Sequence, residues 1–153
     1  ALTALATPGH AANHLCFAWG EALFSGDHVM GWSTSVVAPP DGSMGDYMAS
    51  LEKLRERAET IYWPGHGGPV VEPARYVRGL ITHRRQRETA ILARLDAGPA
   101  TIAEIVERNY VGLAPKLKGA AALSTLAHLE DLLARGLAKR SEAPPLEAVY
   151  ERV

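Results

Sequence analysis

In the stretch EALFSGDHVMG, residues 21–31, a short apolar run is followed by a Ser-Gly dipeptide and then by a carboxylate and an imidazole. Residues 22–24 predict a buried strand, and the Ser-Gly dipeptide that follows predicts the turn that ends it. A carboxylate held at the end of a rigid strand is well placed to bind a cation. Ser-Gly-Asp also forms ordinary turns, because glycine allows positive φ and aspartate hydrogen-bonds to nearby backbone. The role of Asp27 therefore depends on which side chains the rest of the chain places beside it.

A histidine precedes the strand that pairs with this one. TPGH, residues 7–10, predicts a turn, residues 13–19 (NHLCFAW) predict a strand, and Gly20-Glu21 predicts the hairpin turn between the two strands. Such a hairpin places His10 and Asp27 at the same end of neighbouring strands. Both side chains can then face one point.

A second histidine ends the third predicted strand. Residues 60–63 predict that strand, and PGHGGP, residues 64–69, follows it with glycines on both sides of His66. Glycine lets the backbone approach closely and aim one imidazole. Ligands of layered α/β folds gather where strands end and loops begin. The three strand ends therefore predict a site formed by His10, Asp27 and His66.

Composition sets the limits within which this site must be built. A chain of 153 residues that is 47% hydrophobic can bury the core of one compact domain or of two small ones. Its single cysteine, Cys16, rules out an intramolecular disulfide and fits a reducing compartment, so we expect a cytoplasmic location. No apolar run approaches the length of a membrane span, and we expect no membrane partner. The chain begins with Ala1 rather than methionine, which suggests a fragment.

Charge is distributed unevenly along the chain. The net charge is −1, but the acidic residues predominate in residues 1–72 and the basic residues in residues 73–153. The first part is therefore suited to holding cations. The second part either binds anions or presents ordinary exposed helix faces.

The remaining patterns predict an α+β chain with two domains. Residues 29–45 contain too many prolines and glycines for regular structure and predict a loop at the rim of the site. Asp46 predicts the N-cap of a helix to about residue 58, and a longer helix is predicted from Pro73 to about residue 96. Gly98-Pro99 predicts a boundary between domains 1–97 and 98–153.

The second predicted domain consists of two helices and a two-stranded ribbon, an arrangement typical of a winged helix. Four cations could contact nucleic-acid phosphates, namely Lys116, Lys118, Lys139 and Arg140. Glu130 and Asp131 on the second helix would repel phosphate. We therefore favour packing, or homodimer formation, as the role of this domain over nucleic-acid binding.

Three motifs resemble a known family. TPGHAANH, LFSGDHVMG and YWPGHGGPV are similar to the third, fourth and fifth metal motifs of the metallo-β-lactamase superfamily, in the same order. The similarity continues through YVRGLITHRRQRE and into the tail, and it is greatest to the branch of glyoxalase II-like hydrolases and the mitochondrial β-lactamase-like endoribonuclease. The resemblance implies the C-terminal half of an αββα sandwich followed by a winged-helix-like domain.

The resemblance also implies roles for the three site residues. His10 would bind one metal, His66 a second, and Asp27, the catalytic carboxylate, would bridge both. Two zinc ions, or other divalent metals, would activate water as hydroxide for attack on a thioester, ester, lactam or phosphodiester. The implied substrate is a small-molecule thioester or ester, or single-stranded RNA.

One family signature is missing. HxHxDH, which supplies the other metal ligands, does not occur in this sequence. We therefore expect a missing N-terminal half as the partner of this chain, and an isolated chain that binds metal weakly and has little or no activity. The alternative is a non-catalytic winged-helix fragment that binds a protein or nucleic acid.

The neighbouring histidines receive lesser roles. His14 follows His10 by four residues, the spacing of paired ligands on a helix, but Pro8 and Gly9 argue against a helix there. We therefore do not expect His14 to bind metal. His28 follows Asp27 and is expected to line the pocket or to hydrogen-bond a metal ligand.

His83 and Arg84 lie within the segment HRRQRE of the long helix. Both are candidates for facing the pocket, where a guanidinium would match a phosphate or carboxylate. The alternative for Arg84 is an exposed helix face or an ion pair with Glu88.

Overall fold

The computed structural model describes residues 1–153 and divides them into two compact units, Ala1–Arg84 and Arg85–Val153. The α+β class is confirmed, because each unit combines strands with helices. The division falls inside one long helix, so the two halves of that helix belong to different units. The domain boundary at Gly98-Pro99 stays a prediction. None of the helices combines the length and apolar character needed to cross a membrane.

The first unit contains a four-stranded sheet in the order β1-β2-β3-β4. Strands β1, β2 and β3 are antiparallel, and β4 runs parallel to β3. The predicted hairpin of β2 and β3 is confirmed, with Ala18 opposite Leu23. Residues 2–6, for which the sequence predicted no strand, form the edge strand β1. The strands are β1 (Leu2–Ala6), β2 (Leu15–Trp19), β3 (Ala22–Gly26) and β4 (Ile61–Pro64).

The two faces of this sheet differ in exposure, as the two-residue period of a strand requires. On one face Cys16, Leu23 and Tyr62 are buried. Helix α1 (Met44–Arg55) covers this face, and the Tyr62 hydroxyl donates to the carbonyl of Leu54 in its last turn. The opposite face carries large apolar side chains that remain exposed. We call it the apolar sheet face, formed by Leu2, Leu15, Phe17, Trp19, Phe24 and Trp63.

Helix α1 begins three residues earlier than predicted. Its N-cap is Ser43, whose hydroxyl accepts a hydrogen bond from the backbone N–H of Asp46. Asp46 lies in the first turn, where a carboxylate interacts favourably with the helix dipole. The prediction of Asp46 as the N-cap is therefore wrong.

Helix α2 (Pro73–Asp96) has the predicted bounds. Proline is well tolerated at the first helical position because its fixed φ suits the helix and its missing N–H is not needed there. Val77 and Ile81 are buried in the first unit, while Ile91 and Leu95 belong to the core of the second.

The second unit begins at Arg85 and has the predicted helices and ribbon. Thr101 caps α3 through a capping box with Glu104, since each side chain hydrogen-bonds to the other's backbone N–H. A short strand, β5, adds to the predicted ribbon, giving an antiparallel sheet in the order β5-β7-β6. The elements are β5 (Ala100–Thr101), α3 (Ile102–Asn109), α4 (Lys118–Ala134), β6 (Ala138–Arg140) and β7 (Val149–Arg152).

Candidate metal centre

His10, Asp27 and His66 lie together at one end of the first sheet. Nε2 of His10 is 3.8 Å from Oδ2 of Asp27, and Nε2 of His66 is 3.4 Å from Oδ1. Each imidazole therefore faces a different oxygen of one carboxylate. This is the arrangement of a carboxylate that can bridge two cations.

The hydrogen bonding of His10 fixes which ring nitrogen can bind a cation. Its Nδ1 lies 2.6 Å from the carbonyl oxygen of Val36. A carbonyl can only accept, so Nδ1 carries the hydrogen, and Nε2 of the neutral ring presents a lone pair. A carbonyl that orients an imidazole in this way is a common feature of metal-binding histidines.

The donor set fits divalent cations. Zinc binds imidazole nitrogen and carboxylate oxygen at about 2.0 to 2.2 Å, so two tetrahedral ligands lie roughly 3.4 Å apart. The two nitrogen–oxygen distances are close to this separation. Within this chain, no group of three or more His, Cys, Asp or Glu side chains could hold a metal ion. The three residues could therefore offer one nitrogen and one oxygen to each of two cations, and each cation would need further ligands.

Glycines allow the loops of the site to approach one another. A Cβ added at Gly65 would lie 2.8 Å from Oδ1 of Asp27, and the Gly65 N–H donates to the carbonyl of Gly26 at 2.8 Å. Gly26 itself has φ +54°, a conformation that favours glycine. The two loops that carry Asp27 and His66 can therefore lie side by side.

A second backbone contact holds the His66 loop. The N–H of Gly31 donates to the carbonyl of His66 at 3.0 Å. The His66 side chain is 63% exposed, so its ring is open to solvent while its backbone is held in place.

His14 is the residue near this site that sequence reasoning set aside. Its Nδ1 lies 2.9 Å from the Thr7 hydroxyl, and its ring centroid is 6.4 Å from that of His10. Burial, and then the neighbouring His10, lower the pKa of His14, whereas Asp27 opposes this shift. His14 is therefore favoured as a neutral imidazole beside the site. The four-residue spacing from His10 was the available signal, and a turn rather than a helix brings the two rings together.

The His28 ring lies next to the His14 ring and is fully buried, so it does not line an open pocket. Its ring is 5.6 Å from the His14 ring and 4.5 Å from the Tyr47 ring, and neither ring nitrogen has a hydrogen-bond partner. The side chain packs inward, and its predicted role beside the site stays a prediction. Burial, reinforced by the nearby histidines, lowers the pKa of His28 to about 3.

Arg84 is also directed into the first unit rather than to solvent. Arg84 is 4% exposed. Its Nη2 donates to the carbonyl of Ser35, and its guanidinium lies 5.2 Å from the centre of the Tyr47 ring. The alternative of an exposed helix face is therefore wrong. Glu88 accepts a hydrogen bond from Arg135. His83, the preceding residue, is partly buried.

The chain is similar to one known domain family and to several known proteins. Residues 101–144 match the β-lactamase associated winged helix domain. The chain is 33% identical, over 141 residues, to the β-lactamase-like protein 2 homolog of Drosophila melanogaster, covering 90% of this chain and 47% of that protein. It is 35% identical, over 121 residues, to an atrochrysone carboxyl ACP thioesterase of Aspergillus fumigatus, covering 70% of this chain and 37% of that protein.

A solved structure supports the same relationship. The crystal structure of a metallo-β-lactamase family protein from Thermus thermophilus is 30% identical to this chain, with a TM-score of 0.83. The superposition covers 99% of this chain and 49% of that protein. The chain therefore spans about half the length of the relatives it matches, or less.

Proposed function

We propose that this chain, which has the fold of the metallo-β-lactamase superfamily and carries its associated winged helix domain, is the C-terminal half of a divalent-metal-dependent hydrolase. The observation that carries the proposal is the position of His10 and His66 on opposite oxygens of Asp27. The thioesterase among the relatives supports hydrolysis as the reaction class.

The residues of the site have distinct tasks. His10 and Oδ2 of Asp27 would hold one cation, while His66 and Oδ1 would hold the other. Divalent cations, of which zinc fits the nitrogen and oxygen ligands best, would supply Lewis acidity and lower the pKa of water. The Val36 carbonyl keeps the lone pair of His10 directed at the site, so no rotation of this ring is needed for binding.

The exposure of the apolar sheet face supports the proposal that a partner is missing from this chain. Six large apolar side chains share this face, and Leu2 and Trp19 are each 63% exposed. Contiguous exposed apolar surface of this kind marks an interaction site, and two sheets that pack face to face bury such surfaces. We propose that the N-terminal half of the αββα sandwich covers it and supplies the remaining metal ligands.

Among the possible substrates we place acyl thioesters first. The Aspergillus fumigatus relative is named as a thioesterase, and the sequence motifs are similar to those of glyoxalase II-like hydrolases. Small-molecule esters and single-stranded RNA are the second and third candidates, the latter through the similarity to the mitochondrial β-lactamase-like endoribonuclease. A cytoplasmic location remains part of the proposal.

For the winged helix domain we propose packing, including homodimer formation, rather than nucleic-acid binding. Lys139, one of the four candidate phosphate contacts, forms an ion pair with Glu151 at 3.3 Å. Arg135 directly follows α4 and is not one of the four. Its Nε lies 3.1 Å from Oδ2 of Asp131, so the charge of this arginine is paired as well. Paired charges attract phosphate less than free ones.

The deciding experiment measures hydrolysis by the complete parent protein. Acetyl and longer-chain thioesters, matched esters and single-stranded RNA are assayed with and without a chelator, and activity is then restored with zinc. We expect chelator-sensitive thioester hydrolysis. Full activity after complete metal removal, shown by elemental analysis, contradicts metal dependence, and inactivity towards every substrate contradicts the hydrolase proposal.

A further inference from the structure

A cavity of about 560 Å³ lies in the first unit beside the His66 loop. Its volume falls within the range of about 300 to 1,000 Å³ that is typical of small-molecule sites. It is formed by the loop after β3, the loop after β4 and the first turns of α2. Its walls are Gly31, Ser33, Thr34, Pro69, Val70, Val71, Glu72, Arg75, Tyr76, Gly79 and Leu80.

The cavity is connected to the candidate metal centre by backbone hydrogen bonding. Gly31 lines the cavity, and its N–H donates to the carbonyl of His66. A Cβ at Gly31 would lie 2.1 Å from the carbonyl oxygen of Gly68, so the two loops are in close contact here. The Tyr76 hydroxyl donates to the carbonyl of Met30 at 2.7 Å and fixes another wall. The cavity wall at Gly31 is therefore held against the backbone of the loop that carries His66.

The lining is suited to an apolar, uncharged group. Val70 and Leu80 are nearly buried and present apolar surface. The two charged residues of the lining form an ion pair, with Nη1 of Arg75 3.5 Å from Oε2 of Glu72, which directly precedes α2. Because these charges offset each other, the cavity has no net charge that would select an ionic ligand.

We propose that this cavity binds the acyl chain of an acyl thioester substrate, with the scissile group towards His66. This inference rests on the proposed hydrolase function and assigns it a preference for acyl chains over acetyl groups. The apolar lining stabilises methylene groups, and the neighbouring loop orients the thioester towards the metal ligands.

Gly79 provides a direct test. It lines the cavity, and a Cβ added there meets no heavy atom within 4 Å, so Gly79→Phe fills space without a clash at the backbone. Gly119→Phe is the matched control. Gly119 lies in a helix of the second unit, lines a separate cavity, and also has no heavy atom within 4 Å of an added Cβ.

The probe is the analogue of S-octanoyl-N-acetylcysteamine in which a methylene replaces sulfur, since it cannot be hydrolysed. Calorimetry with the 153-residue chain should show binding that Gly79→Phe weakens about tenfold or more, because two methylenes excluded from an apolar site cost about that factor. Gly119→Phe should bind as the unmodified chain does. In the complete enzyme, Gly79→Phe should lower the ratio of kcat/KM for octanoyl over acetyl thioester by a similar factor.

The two proposals can fail separately. Octanoyl binding that Gly79→Phe leaves unchanged, or no binding at all, overturns the acyl-site assignment even if the complete enzyme hydrolyses thioesters. Binding that Gly79→Phe abolishes supports the assignment even if the reaction proves to be another hydrolysis. An unaltered chain-length ratio in an active Gly79→Phe enzyme also overturns it.

Discussion

Nε2 of His10 lies 3.8 Å from Oδ2 of Asp27, although neither atom carries a hydrogen when the imidazole is neutral. The distance is too long for a hydrogen bond, and two facing lone pairs repel each other. A cation between them changes this repulsion into two favourable contacts. The same carboxylate faces His66 through its other oxygen, so both candidate cation positions depend on Asp27.

Asp27→Asn should abolish tight binding of both metal ions by the complete protein. The amide has no negative charge, and its nitrogen cannot act as a ligand, so one cation loses its oxygen contact and the other keeps only a neutral carbonyl oxygen. We expect affinity for zinc to fall by about 100-fold or more, since even the loss of an outer hydrogen-bond partner costs about 10 to 100-fold. Isothermal titration calorimetry and elemental analysis measure this.

Asp41→Asn is the matched control for this change. It removes one negative charge from the same unit, and its amide oxygen can still accept the hydrogen bond from the Ala12 N–H. Its metal content should match that of the unmodified protein. Two tightly bound zinc ions in the Asp27→Asn protein would rule out the bridging role.

Gly65→Ala should weaken metal binding without replacing any ligand. The added Cβ would lie 2.8 Å from Oδ1 of Asp27, so the carboxylate or the loop must move. We expect a loss of affinity of roughly 10 to 100-fold, comparable to the loss of an orienting contact. Gly68→Ala, in the same loop, meets no heavy atom within 4 Å and should bind metal normally. Equal affinities of the two variants would contradict the steric explanation.

The sequence predicted the elements around Asp27 well because local signals agree there. An apolar run, a glycine turn and a potential metal ligand follow one another three times, and the hairpin and parallel strand that result bring His10 and His66 to one carboxylate. Capping chemistry was equally informative at Thr101, where the partner Glu104 stands three residues later.

Other features depend on distant contacts and could not be predicted from local patterns. β1 lacks strong strand propensity and forms by pairing with β2. His28 and Arg84 are polar, which usually indicates exposure, yet both contact Tyr47 in the interior. Their burial follows from the path of the loop after β3. The spacing of apolar residues in the sequence does not indicate that path.

Arg84→Ala should destabilise the first unit rather than act only on substrate binding. The substitution removes a buried guanidinium that donates to the Ser35 carbonyl and lies over Tyr47. A buried carbonyl left without its donor costs about 1 to 3 kcal/mol, and the lost packing adds to this. All three tryptophans lie in the first unit, so urea unfolding followed by tryptophan fluorescence reports on it. Arg78→Ala, on the exposed side of the same helix, should change stability by less than about 0.5 kcal/mol.

Stability of the first unit should fall as the pH is lowered below 6.5. The pKa of His28 is lowered from 6.5 to about 3, chiefly by burial, so between these values the unfolded chain binds a proton that the folded chain does not. The unfolding free energy therefore decreases by up to about 1.4 kcal/mol for each pH unit in this window. Urea titrations from pH 7 to pH 4, in the presence of chelator, measure the slope.

His28→Phe should reduce that slope, because the ring nitrogens make no hydrogen bonds and phenylalanine keeps the contact with Tyr47. His66→Gln, which changes a largely exposed imidazole, should leave most of the slope intact. A His28→Phe protein with an unchanged slope would assign the acid sensitivity to other groups.

The apolar sheet face should decide whether an N-terminal half can bind to this chain. Phe24 lies at the centre of the face, opposite Phe17 on one neighbouring strand and Trp63 on the other. Phe24→Glu places a charge where two sheets would meet, and burying an unpaired charge costs several kcal/mol. Phe24 is 41% exposed in this chain, so the same substitution should alter the stability of the chain itself much less.

The parent's N-terminal half, supplied as a separate polypeptide, should therefore co-purify with the unmodified chain and with Val111→Glu, whose site is 90% exposed in the second unit. It should fail to co-purify with Phe24→Glu. Retained binding of the N-terminal half by a folded Phe24→Glu chain would show that this face is not the interface.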